Sequence, residues 1–125
     1  INQVLQEHNS LRAKKGAPSL TWGDGDLYSY AVKVANTCDY RESSGKYGEN
    51  LAPLRRPGSL SEAIKLWAKK KSDYNSIEPQ GTEYTQLVWK GTTQVACAIV
   101  SCPTLANSDL VNQDFVVCEY SPSGN

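Results

Sequence analysis

The residues of this chain that could carry chemistry are one histidine, four cysteines, a set of glutamates and a run of lysines. His8 is the only histidine, and an imidazole can act as a general base near neutral pH. A serine–histidine–acid triad would need a particular serine beside His8, and no spacing in the sequence points to one. The favoured interpretation is therefore a histidine with a structural role on a packed helix.

The cysteines Cys38, Cys97, Cys102 and Cys118 are even in number and lack the paired spacing of a zinc ribbon. They indicate two disulfide bonds made in an oxidising compartment. Four cysteines allow three connectivities, and the sequence alone does not choose among them. If the β-rich runs around Cys97 and Cys118 pair in one sheet, a cross-strand disulfide is geometrically reasonable, and it leaves Cys38 with Cys102.

The charge balance argues against a nucleic-acid-binding protein. The chain has 13 basic and 13 acidic residues, whereas nucleic-acid binders normally carry a basic excess. Its one dense basic patch, Lys65, Lys69, Lys70 and Lys71, is interpreted as a solvated helix face, with phosphate or membrane binding as the alternative. No apolar run approaches the ~20 residues that span a bilayer. Nothing at the start resembles a signal peptide, so we interpret the chain as a mature or trimmed form.

Three helices are expected to position these residues. Apolar side chains recur at helical spacing over residues 1–11, 27–38 and 60–67, and Ser59 precedes Glu62 in capping-box spacing. Residues 93–100 and 114–120 are β-rich, and residues 84–89 are ambiguous between helix and strand.

Residues 41–59 hold many glycine, serine, proline and charged residues, and are predicted to form a long connection. Helices followed by strands favour α+β layering over a βαβ repeat. The chain has the usual length of one domain, and we predict a single domain over residues 1–125.

Four motifs carry a resemblance to a known family: HNSLR at 8–12, GENL at 48–51, GTEYTQLVW at 81–89 and FVVCEYSPSGN at 115–125. In this order they resemble the motifs of the CAP family, the cysteine-rich secretory and pathogenesis-related class 1 proteins, and most of all the fungal and plant pathogenesis-related class 1 domains. The third motif resembles a signature that is usually GHFTQVVW.

The resemblance implies a three-layer α-β-α sandwich around a mainly antiparallel sheet, and a secreted, extracellular protein that is not an enzyme. It supports the disulfide pairs Cys38–Cys102 and Cys97–Cys118, and it implies a short helix at about residues 85–89. The matching positions with expected structural roles are His8, Asn9, Arg12, Asn50, Trp67 and Trp89.

Family members usually carry two histidines and two glutamates around a cleft that can hold a divalent cation. By the resemblance, the matching positions here are Glu42, Glu49, Lys70 and Glu83, so no imidazole remains. Clustered carboxylates repel one another, and our hypothesis is that the Lys70 ammonium replaces the metal. The alternative is a Lys70 side chain that points to solvent. No metal is expected; zinc binding is predicted to be lost, and a weak Mg²⁺ or Ca²⁺ site through oxygen ligands is left open.

Several members of the family bind sterols through an aromatic, proline-containing loop after the third helix. The matching residues are Tyr74, Ser76, Ile77 and Pro79, where Ser76 stands in place of an aromatic residue and the loop looks several residues short. Since sterol affinity comes mainly from buried hydrocarbon, we predict weakened sterol binding.

Fatty acids are the family's other lipid ligand, held in a groove between helices. The apolar stripes could line such a groove, but core packing explains them equally well and is the favoured interpretation; they carry Val4, Leu11, Leu60, Ile64 and Trp67. The expected function is lipid binding of the sterol or fatty-acid type. The alternative is an extracellular interaction module that meets a host or cell-surface protein through residues 41–59, with Lys46, Arg55 and Arg56, or through the lysine face. A metal-dependent hydrolase is disfavoured.

Overall fold

The computed structural model describes residues 1–69 and 82–124. It contains four helices and four strands in these residues. In chain order they are α1 (Asn2–Lys14), β1 (Thr21–Trp22), α2 (Asp26–Asn36), β2 (Gly48–Arg55), α3 (Leu60–Lys69), α4 (Glu83–Leu87), β3 (Gln94–Thr104) and β4 (Val111–Ser121). In the described residues, no helix has the length and apolarity to cross a membrane.

The strands form one sheet in the order β1-β3-β4-β2. The interior strand β4 is antiparallel to both β3 and β2, and the short β1 is parallel to β3. Seven consecutive residues of β4, 114–120, are buried, as expected of a strand that is covered on both faces. Cys97 lies directly opposite Cys118 in the register.

Helices cover both faces of the sheet. On one face, α2 places Ala31, Val34 and Ala35 against a cluster that includes Phe115 and Val117 of β4. On the other face, α1, α3 and α4 contribute to a second cluster that contains the alternate β4 residues; its members include Val4, Ile64, Trp67, Leu87, Val116 and Tyr120. The predicted α-β-α sandwich is therefore confirmed. The two disulfides join Cys38 to Cys102 and Cys97 to Cys118.

The prediction that residues 41–59 form one long connection is wrong. Gly48–Arg55 is strand β2, paired with β4 along its whole length, with alternate residues buried. Glycine and proline obscured this strand in the sequence, because both are depleted in strands. Pro53 is tolerated here because β2 is an edge strand, so the missing N–H leaves no partner strand unsatisfied.

Side-chain hydrogen bonds cap the N-termini of α3 and α4. The Ser59 side chain accepts a hydrogen bond from the backbone N–H of Glu62 at 3.1 Å, as the capping-box spacing predicted. The ambiguous stretch is helical up to Leu87, so the short helix is confirmed but lies two residues earlier than the implied 85–89. α4 begins after Thr82, whose side chain accepts from the backbone N–H of Thr85 in a reciprocal capping box. This helix and β2 both contribute residues to the cleft described below.

Candidate functional site: an acidic cleft and a helix groove

A satisfied polar network stands behind the cleft, on the α1 side of the sheet. The fully buried His8 donates from Nδ1 to the carbonyl of Val4 (2.9 Å), and its Nε2 accepts from the hydroxyl of Tyr120 (2.8 Å). Asn50 donates to the same Tyr120 oxygen and to the carbonyl of Glu83 (3.1 Å). Burial, with the nearby Arg12 charge adding to it, lowers the pKa of His8 to about 4. His8 is therefore neutral at pH 7 and fully committed to packing.

Arg12 fastens the turn that follows α4. Its guanidinium is buried and donates to the carbonyls of Pro18 (2.7 Å), Leu87 (3.0 Å), Trp89 (3.0 Å) and Thr92 (3.1 Å). Four carbonyls from two separate segments converge on a single side chain, which a planar five-donor fork can satisfy. The HNSLR motif thus supplies both the histidine and the arginine that hold the α1 layer together.

Gly48 of the GENL motif lies directly against Gln86 of the GTEYTQLVW motif. A Cβ at Gly48 would lie 2.1 Å from Oε1 of Gln86, so any larger residue here would displace the Gln86 amide from its present position. Gln86 also accepts from the backbone N–H of Gly124 (3.1 Å) and donates to Thr92 (3.1 Å). The Gln86 amide therefore connects α4 with the C-terminal segment, and it lies against the first residue of β2.

Three of the four predicted cleft residues line one cleft of about 400 Å³. Glu42 comes from the segment before β2, Glu49 from β2 itself and Glu83 from the first position of α4. Glu49 is already engaged, because its carboxylate accepts from the backbone N–H of Ser43 (2.8 Å) and from the Ser43 hydroxyl (2.7 Å). Three carboxylates and one guanidinium, that of Arg41, therefore line the cleft, and the Glu49 carboxylate holds Ser43 in place.

The chemistry of this donor set does not fit a transition metal. No imidazole lines the cleft, and within residues 1–69 and 82–124 no group of three or more His, Cys, Asp or Glu side chains is placed to hold a metal ion. Lys70 and the predicted sterol-loop residues Tyr74, Ser76, Ile77 and Pro79 lie outside the described residues. The charge-replacement hypothesis for Lys70 stays a prediction.

Glu119 is a buried acid that the sequence interpretation did not single out. It lies beside Glu49 in the sheet register and is completely buried, and in the described part of the chain no other residue donates a hydrogen bond to either of its oxygens. Burial, reinforced by the neighbouring Glu49 carboxyl, raises the pKa of Glu119 to about 11. A protonated Glu119 can donate to Glu49, whereas two carboxylates would repel each other.

The other predicted structural residues are found in supporting contacts. Asn9 binds both the N–H and the carbonyl of Leu20 (2.7 and 3.2 Å), and the buried Trp67 donates from its indole to the carbonyl of Leu51 (3.1 Å). Trp89 differs from the others, since its side chain is 42% exposed and its contribution to Arg12 is a backbone carbonyl. Gly124 packs against the Trp89 ring, where a Cβ would lie only 2.5 Å away.

A second concave surface lies between α1 and α3, with a volume of about 440 Å³. Leu11, Ile64 and Ala68 supply its apolar lining, and Lys14 and Lys65 are also at its surface. Val4 and Trp67, named with Leu11 and Ile64 from the apolar stripes, are buried in the core instead, and Leu60 packs against it. The residues of the apolar stripes are thus divided between the core and the concave surface. We call the concave surface between α1 and α3 the α1–α3 groove.

Comparison with known proteins places this architecture in a family. The model of the cysteine-rich secretory protein family, CAP, matches residues 5–120. The secreted protein RBT4 of Candida albicans is 38% identical over 98% of this chain, which spans only 35% of that protein's length. The pathogenesis-related protein 1A1 of Solanum lycopersicum is also 38% identical, over 97% of this chain and 70% of its own length.

Solved structures agree on the fold. Hookworm platelet inhibitor superposes with a TM-score of 0.77 at 22% identity, covering 99% of this chain and 69% of its own. NaASP2, solved with Zn²⁺, gives 0.74 at 21% identity over 98% of this chain and 79% of its own. With the family model matched over nearly the whole length and the sandwich, disulfides and motif contacts in place, this chain belongs to the CAP family of cysteine-rich secretory and pathogenesis-related class 1 proteins.

Proposed function

We propose that this chain is a secreted, non-enzymatic lipid-binding domain whose principal ligand is a fatty acid. The α1–α3 groove is the observation that carries the proposal. Its volume of about 440 Å³ lies in the range of small-molecule pockets, and its apolar lining suits an acyl chain. Lys14 and Lys65, in the same lining, supply ammonium groups for a carboxylate. The lining also contains one acid, Glu7, whose carboxylate accepts a hydrogen bond from the Ser61 hydroxyl.

Palmitate binding to the wild-type protein, measured by titration calorimetry, tests this proposal. Ala68→Phe should weaken binding at least tenfold, because the larger side chain fills the groove. Ala13→Phe makes the same change at an exposed position of α1 that does not line the groove, and should leave the affinity unchanged. Absence of palmitate binding to a folded wild type would refute the proposal and favour the extracellular interaction module.

Sterol binding is proposed to be weak, on the sequence argument alone, because the loop that would carry it lies outside the described residues. Replacing one phenylalanine-sized side chain by serine could remove about 2 kcal/mol of burial, or about thirtyfold in affinity. Ser76→Phe should therefore strengthen cholesterol binding in a competition assay. Nanomolar cholesterol binding by the unmodified chain would contradict this part of the proposal.

The cleft is proposed to be a degenerate cation site. A relative of the same fold, NaASP2, was solved with Zn²⁺, but the acids here have no histidine beside them and Glu49 is bound to Ser43. Weak Mg²⁺ or Ca²⁺ binding through carboxylate oxygens remains compatible with this donor set. Calorimetric titration with Zn²⁺ should give no micromolar binding; micromolar binding that is lost in Glu49→Gln would overturn this proposal.

We propose that the chain is not an enzyme, because neither its cysteines nor its single histidine is available for catalysis. All four cysteines are paired, and the only imidazole is buried and hydrogen-bonded at both nitrogens. Secretion is proposed from the disulfides and from the naming of RBT4 as a secreted protein.

A further inference from the structure

A further pocket lies against α2. It has a volume of about 550 Å³ and shares no lining residue with the acidic cleft or the α1–α3 groove. An adjoining depression shares Tyr30 and Lys33 with this pocket, and Arg41 and Glu42 with the acidic cleft. We call the pocket against α2 the lysine–tyrosine pocket; it is lined by Asp26, Ser29, Tyr30, Lys33, Lys46 and Tyr47.

The wall of this pocket is held in place by the segment that precedes β2. The Tyr30 hydroxyl donates to the Ser43 hydroxyl (2.7 Å), which in turn donates to the Glu49 carboxylate (2.7 Å). Gly45 packs directly on Tyr30, since a Cβ there would lie 2.2 Å from the phenol oxygen. These contacts seat residues 43–47 on α2, so Lys46 and Tyr47 are positioned before any ligand arrives, and less ordering is needed on binding.

The two lysines bring positive charge that the protein itself does not neutralise. Within residues 1–69 and 82–124, neither Lys33 nor Lys46 has a carboxylate at ion-pair distance. The Lys46 ammonium lies 5.3 Å from the centre of the Tyr47 ring, and that ring meets Tyr30 edge-on at 5.3 Å. Cationic groups and aromatic faces therefore share one small surface.

The remaining polar groups select among anionic ligands. A simple inorganic anion would use the lysines alone, and an apolar ligand would use the tyrosine rings alone. Asp26 and Ser29 add an acceptor and a hydroxyl that suit the hydroxyl groups of a sugar. We propose that the lysine–tyrosine pocket binds an acidic oligosaccharide, with its carboxylate or sulfate on Lys33 and Lys46 and a sugar ring against Tyr47.

Three tetrasaccharides, titrated into isotope-labelled protein and followed by amide NMR shifts and calorimetry, test this assignment. Tetragalacturonate carries carboxylates, a heparin-derived tetrasaccharide carries sulfates as well, and cellotetraose is neutral. At least one acidic tetrasaccharide should bind ten times more tightly than cellotetraose, with its largest shifts in residues 26–33 and 43–47. The relative affinity of the two acidic probes then identifies which charged group is preferred.

Variants separate a specific pocket from general charge attraction. Lys33→Ala with Lys46→Ala should weaken binding at least tenfold, whereas Lys15→Ala with Lys90→Ala removes the same charge elsewhere at exposed sites and should change it less than twofold. Tyr47→Leu should weaken binding while both lysines remain. No binding of either acidic probe, shifts that map elsewhere, equal binding of cellotetraose, or an equal loss in the Lys15/Lys90 control would each overturn the proposal. The shift map comes from the wild type, so it holds even if a variant folds poorly.

Discussion

Two adjacent residues of β4, Glu119 and Tyr120, both carry a buried polar group, but only that of Tyr120 is hydrogen-bonded by neighbouring side chains. Tyr120 faces the α1 side, where its hydroxyl donates to His8 and accepts from Asn50. Glu119 faces the α2 side next to Glu49, and in the described residues no donor meets its two oxygens. On the α1 side, His8 and Tyr120 have partners, although in the described residues one buried oxygen of Glu7 has none. On the α2 side, burial raises the pKa of Glu119 and so favours its protonated form.

This difference predicts opposite responses to pH. The pKa of His8 is lowered from 6.5 to about 4, so the unfolded chain binds the proton more readily, and stability is lost as pH falls below 6.5. The pKa of Glu119 is raised from 4.5 to about 11, so the folded chain keeps a proton that the unfolded chain releases. Stability is therefore lost as pH rises above 4.5. Burial disfavours the charged form of both groups, and the two slopes have opposite signs because His8 is charged when protonated and Glu119 when deprotonated.

The largest expected effect comes from removing the most highly connected group on the α1 side. Arg12→Leu removes a donor from four carbonyls, of which that of Trp89 keeps its bond from the Thr92 N–H. The variant should lower the free energy of unfolding by about 4 kcal/mol in urea titration. Arg12→Lys should lose less, because it keeps the charge but not the planar fork. A loss below about 1 kcal/mol for Arg12→Leu would show that water replaces the guanidinium, and the contrast between the two sides would fail.

The second largest expected effect is a gain in stability when Glu119, on the α2 side of the sheet, is replaced. Glu119→Gln should raise the free energy of unfolding at pH 7 by about 3 kcal/mol, the cost of protonating a carboxyl about 2.5 pH units above its usual pKa. The variant should also lose a wild-type slope of about 1.4 kcal/mol per pH unit above pH 6.5. Denaturant titrations from pH 5 to 9 measure both, and Glu42→Gln, an exposed acid, should leave the slope unchanged. A wild-type stability that stays flat across this range would contradict a protonated Glu119.

The smallest expected effect isolates one hydroxyl of the network. Tyr120→Phe leaves His8 Nε2 without a donor and takes one acceptor from Asn50, so we expect a loss of about 2 kcal/mol in thermal or urea unfolding. Tyr28→Phe is the matched control at a 40% exposed tyrosine and should be neutral. Equal stability of Tyr120→Phe and wild type would mean that the network contributes shape alone.

Local patterns carried much of the fold. Helical periodicity located α1, α2 and α3, and composition located β3 and β4, because each signal depends on residues that are close in the chain. The same signals missed β2, since Gly48 and Pro53 are explained only by what lies beside them: Gln86 in one case and an open sheet edge in the other. The family motifs supplied the cleft residues, but their spacing did not reveal that Ser43 occupies the Glu49 carboxylate.

The sequence by itself determined most of the elements, β1 and β2 excepted, the number of cysteines and the absence of imidazole at the cleft positions, because these depend on residue identity and short-range order. Only the tertiary structure decided which acid became buried, which side chains met across the sheet and where lysines gathered beside tyrosines. Glu119 shows the reason: alternation in a strand assigns it a face, but its burial depends on whether a helix covers that face, and α2 is more than eighty residues away in the chain.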